Sequence, residues 1–154
     1  MNHLLRLLLV LLIASGALRA QDRYRVHFDI AGSRDGKLRV MIFPPTITED
    51  SVTWVFPVSV PGTYEEHFWH RLVSGFRAYD SKSIELPVHR SVDSQFVVKQ
   101  ARNLRYVTYE LDDSFDDTTG RLNIFAPAGT AFEKDSIFVL NHGGVVCYID
   151  GMQK

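Results

Sequence analysis

From Tyr24 onward, apolar residues recur at every second position, in short runs cut by turn residues. Tyr24, Val26, Phe28 and Ile30 alternate with Arg25, His27 and Asp29. Leu38, Val40 and Ile42 alternate with Lys37, Arg39 and Met41. A period of two sends alternate side chains to opposite faces, so each run reads as a half-buried strand. Between the two runs lie Gly32, Ser33, Asp35 and Gly36, turn chemistry that predicts a hairpin. Pro44-Pro45 closes the second strand, because neither nitrogen can donate to a ladder. A third apolar stretch covers 52–60, with Trp54 and Phe56 on one face and Pro57 marking an interruption or an edge. Short runs follow at 76–79, 84–88, 95–99, 104–111, 122–125, 137–140 and 145–149. Helical spacing is confined to a turn or two within 65–73. Many short strands with frequent turns predict an all-β fold, an antiparallel β-sandwich.

Size and charge narrow what such a fold can do. The chain has 154 residues, which gives room for one domain and argues against a two-domain enzyme. A formal net charge of -1 excludes a strongly basic nucleic-acid binder. With 10 Phe, 6 Tyr and 2 Trp there is enough bulk for a core, which argues against a disordered tail.

The first twenty residues have a different character. Arg6 precedes an unbroken apolar run at 7–14, and the small residues Ser15, Gly16 and Ala17 follow. This is the layout of a secretory signal peptide. Cleavage after Ala17 or after Ala20 fits, and the cut after Ala20 is preferred because Gln21-Asp22 opens a polar mature chain. The expected division is therefore a leader at 1–20 and one domain at 21–154, exported to the periplasm or beyond. The apolar run is too short to span a bilayer core of about 30 Å, so no membrane span is expected after cleavage. The single cysteine, Cys147, lies between Val146 and Tyr148 and reads as a buried structural thiol.

Few residues are spaced for chemistry. His67 and His70, behind Glu65 and Glu66, would share a helix face and could present two imidazoles to zinc, but no third ligand is in view. Asp112, Asp113, Asp116 and Asp117 could offer oxygens to calcium, yet their spacing is not that of an EF-hand and a solvated turn is the default. No His-Glu-x-x-His, Gly-x-Ser-x-Gly or phosphate loop occurs. No catalytic residue and no metal ligand is therefore assigned to this chain. Asn141-His142-Gly143-Gly144 reads as a tight hairpin turn, with glycines that permit positive φ.

Pro61-Gly62-Thr63-Tyr64 resembles the "PGTY" signature in the N-terminal domain of the glycyl aminopeptidase family, metallopeptidase family 61. The segments at 74–80, 104–111, 124–130 and 138–152 are similar, in order, to further stretches of that family. The resemblance implies a β-rich domain like that of the alanyl and glycyl aminopeptidases. It implies a following catalytic domain that holds zinc through His-Glu-x-x-His, and often a PDZ domain. Both are absent from these 154 residues, so the chain is expected to be a fragment without cofactor of its own. Its partners would be the missing catalytic domain and the peptide substrate of the full enzyme. Two turns are candidates for lining the substrate cleft: Pro61, Gly62 and Tyr64, and Asn141, His142 and Gly143. The competing expectation is a free-standing periplasmic module that binds a peptide or glycan.

Overall fold

The first hairpin shows how the alternation is used. Strand β1 (Arg25–Arg34) turns at Asp35-Gly36 into β2 (Lys37–Phe43), with φ of +52° and +66° at the two turn residues. Such a turn matches the right-handed twist of paired strands, and Gly36 takes its left-handed φ without steric cost. The structure, a computed structural model, describes residues 23–59, 66, 68–116, 129–133 and 135–153. Strand β1 runs further into the predicted turn than its sequence suggests. It does so through a bulge between Asp29 and Arg34, where Asp29 Oδ1 accepts the Gly32 N–H at 2.9 Å.

The remaining strands are β3 (Ser51–Val55), β4 (Val73–Asp80), β5 (Glu85–Leu86), β6 (Val88–Val92), β7 (Gln95–Lys99) and β8 (Leu104–Asp112). Then come β9 (Ala131–Glu133), β10 (Ile137–Val139) and β11 (Tyr148–Ile149). One sheet has the order β1-β2-β8-β4-β5 and the other β11-β3-β7-β6, with β10-β9 as a separate ribbon. The described pairings are all antiparallel.

The two larger sheets face each other. Register places Leu38 opposite Leu111, Val40 opposite Tyr109 and Ile42 opposite Val107, and all six side chains are buried. From the other sheet come Val52, Trp54 and Val98, with Phe56 just beyond β3, again buried. Rings close the gap between the layers: Phe76 stacks on Phe96 at 4.3 Å, and Phe56 meets Tyr109 edge-on at 5.1 Å. The Tyr24 hydroxyl accepts the Ile149 N–H at 3.0 Å, tying the start of β1 to the edge of the opposite sheet. The expected antiparallel sandwich is therefore the fold.

Three local differences have physical causes. Strand β9 was not foreseen, because three residues with one large apolar side chain cannot display a period. The run at 145–149 is a strand only at Tyr148–Ile149, because the chain before it forms a short helix, α1 (His142–Val145). The region 65–73 yields a 3-10 turn at Trp69–Leu72 rather than an α-helix. The expected strand at 122–125 and the leader at 1–20 lie outside the described residues. Among the described residues no helix is long and apolar enough to cross a membrane.

Candidate functional site

The turn at Asn141, His142 and Gly143 is a correction to the sequence reading. It is a helical turn, not a hairpin with left-handed glycines. Gly144 and Val145 donate their N–H groups to the Asn141 carbonyl at 3.0 and 3.2 Å, and Val146 donates to the His142 carbonyl. Among the described residues, left-handed glycines occur at Gly36, Gly75 and Gly151 instead. The glycine requirement here comes from packing. A Cβ on Gly144 would lie 2.4 Å from Cε2 of Trp69, a fully buried ring. Helix α1 thus lies directly on the 3-10 turn at Trp69–Leu72. The Tyr109 hydroxyl supports it from below by donating to the Val145 carbonyl at 2.7 Å.

This corner brings one of the two predicted cleft turns against the segment that follows the other. His142 is exposed at the surface, and Asn141 and Gly143 are half-buried. Pro61, Gly62 and Tyr64 lie outside the described residues.

His70 sits in the 3-10 turn and is buried, with 6% of its surface exposed. Among the described residues its Nδ1 has no hydrogen-bond partner, and the ring meets Phe68 edge-on at 5.9 Å. Burial lowers its pKa below the ordinary 6.5; Asp93 pulls it back, while Arg90 and Arg71 push it further down. His67, the other half of the two-imidazole pair, is outside the described residues. Among the described residues no three His, Cys, Asp or Glu side chains gather into a metal-holding group.

The aspartate cluster has structural employment. Asp113 is buried, and its two oxygens accept the N–H groups of Phe115 at 2.7 Å and Phe132 at 2.8 Å. Asp112 pairs with Lys37. Asp117 lies outside the described residues. Cys147 is buried beside Tyr109, and burial pushes its thiol pKa up, so it stays an unreactive thiol.

One cluster escaped the sequence reading. On the outer face of the five-stranded sheet, His27, Phe43, Tyr106 and Tyr79 follow one another across β1, β2, β8 and β4. Their centroids are separated by 5.5, 5.6 and 5.1 Å. A groove of about 520 Å³ opens beside the two tyrosines, lined also by Met41, Thr108, Arg39 and Arg77. The signal was present in β2 and β8, where the solvent-facing positions include Met41, Phe43 and Tyr106 as well as charges.

The model of a family described as the Peptidase M61 N-terminal domain matches residues 23–154. Among solved structures, the fold is similar to that of an aminopeptidase N family protein from Idiomarina loihiensis, at a TM-score of 0.65 and 14% identity. The match covers 84% of this chain and 20% of that protein, so the chain spans about a fifth of its length. No curated protein matches the chain. With the match extending over nearly all of the strand-rich region, the chain belongs to the Peptidase M61 N-terminal domain family.

Proposed function

We propose that this chain serves as the non-catalytic N-terminal domain of an exported, zinc-dependent aminopeptidase resembling the glycyl aminopeptidases. In this reading the sandwich packs on a catalytic domain of the same polypeptide, and one corner helps to shape the cleft for a peptide substrate. Zinc would be held by the catalytic domain; the described residues of this chain offer no ligand set for it.

The observation that carries the reading is a set of exposed apolar side chains on the β9–β10 ribbon and the turn that leads from β8. Ile137 and Val139 project from the same side of β10 and are 48% and 49% exposed. Phe115 is 58% exposed and lies against Gly129, two residues before β9. The β9–β10 ribbon pairs with neither larger sheet among the described residues. A two-stranded ribbon is marginal alone, and exposed β-branched and aromatic residues at one place mark a surface meant to be covered. Membership of a peptidase family, and a similar fold forming a fifth of a longer aminopeptidase-family protein, support a catalytic domain as that cover.

Two measurements test this. The coding DNA downstream of Lys154 is expected to hold an in-frame His-Glu-x-x-His. In the full-length polypeptide, I137D/V139D is expected to lower kcat/KM for an amino-acyl anilide and to split one unfolding transition into two. Unchanged activity together with a single unchanged transition would remove the patch as the docking surface.

A further inference from the structure

We propose that the outer face of the five-stranded sheet is a docking surface for an extended, acidic peptide segment of a protein partner. This goes beyond the packing role and uses a different surface from the β9–β10 patch.

At its Phe43 end the face combines apolar rings with two guanidiniums that are unpaired among the described residues. Arg39 pairs with Glu110 at 3.7 Å and Arg77 with Glu85 at 3.5 Å. Arg25 and Arg105 have no carboxylate within ion-pair distance among the described residues. Their guanidinium carbons lie instead 5.2 and 5.6 Å from the centroid of the Phe43 ring. Two guanidiniums held over one aromatic ring keep their hydrogen-bonding edges for an incoming carboxylate. Aromatic residues, Met and Arg are also the types enriched where proteins meet.

The shape suits an extended chain. The 520 Å³ groove shares Arg39 and Glu110 with a neighbouring groove of about 410 Å³, whose lining of Arg34, Lys37, Asp29 and Asp35 is mixed in charge, so the acidic residues of the occupant belong at the Arg25 and Arg105 end. Along β8 this trough follows Tyr106 to Glu110, about 13 Å at the rise of a strand, room for roughly four extended residues. Gly75 opens its side: φ is +61°, it lies where β4 bulges from β8, and a Cβ there would meet nothing within 4 Å. The rings favour a peptide over a glycan. Tyr79 and Tyr106 stack on each other at 5.1 Å with planes 26° apart, so each spends one face on its neighbour rather than on a sugar ring.

The test is selection of random linear peptides displayed on phage against the purified chain. Binding of the selected peptides is then measured for wild type, R25Q/R105Q and R25E/R105E, with thermal melting to confirm that each variant is folded. Enriched peptides should be rich in Asp and Glu, and affinity should fall in that order of variants, by about tenfold or more for the charge reversal. Amide chemical-shift changes should map to β2, β4 and β8. Neutral or basic selected sequences, no enrichment, or affinity indifferent to R25E/R105E would each overturn the proposal. So would saturable binding of a heparin oligosaccharide on this face with no peptide binding.

Discussion

At the scale of single residues, two positions show how closely the corner at α1 is built. Gly144 leaves no room for a side chain, because Trp69 occupies the place of a Cβ and is itself fully buried. Gly144→Ala should therefore cost about 1–3 kcal/mol of stability by overpacking, read as a lower urea midpoint. An unchanged midpoint would mean that Trp69 can move aside. The neighbouring His70 should make stability depend on pH. Its folded pKa lies below 6.5, chiefly through burial, so between the two values the unfolded chain binds the extra proton. The stabilising effect of neutral His70 is complete above the unfolded pKa and is lost as pH falls toward the folded one. His70→Gln should remove this part of the slope whatever it does to absolute stability. A urea midpoint that tracks pH identically in wild type and variant would rule out the assignment. Neither effect was legible in the sequence: the Gly-Gly pair read as freedom of φ in a hairpin turn, not as room for an indole 75 positions earlier.

At the scale of elements, strands carried by an apolar run were readable even when short, as at β5, β10 and β11, while β9 was not. Strands β2 and β8 alternate over seven and nine residues, and they lie where the pattern puts them. Strand β9 has three residues and depends on a contact that sequence spacing cannot reveal. Asp113, at the end of β8, receives N–H groups from both its own turn and Phe132 in β9. Asp113→Ala should leave the buried Phe132 N–H without a partner and cost about 1–3 kcal/mol. Hydrogen exchange should quicken first at Phe132 and Phe115, ahead of β2 and β8. Uniform quickening across the sandwich would show that the ribbon is not separately held. The same carboxylate, within a run of aspartates, therefore has a structural role as an anchor.

At the scale of the whole molecule, the leader and the domain make separable predictions. If residues 1–20 direct export, the mature protein recovered from the periplasm or medium should begin at Gln21 on N-terminal sequencing. Recovery from the cytosol with Met1 still in place would defeat the export reading. The fold class and the family resemblance were accessible from residues alone, because period-two alternation dictates one buried face per strand and the matching segments keep their order. Which faces meet was not accessible. The sequence by itself determined that Leu38, Val40 and Ile42 share one side and Arg39, Met41 and Phe43 the other, since alternation is a property of a single strand. Only the tertiary structure decided that Phe43 joins Tyr106 and Tyr79 in a solvent-facing row, and that Trp69 lies against Gly144. Those contacts come from strand order and layer packing, which depend on residues far apart in the chain and leave no local periodicity to read.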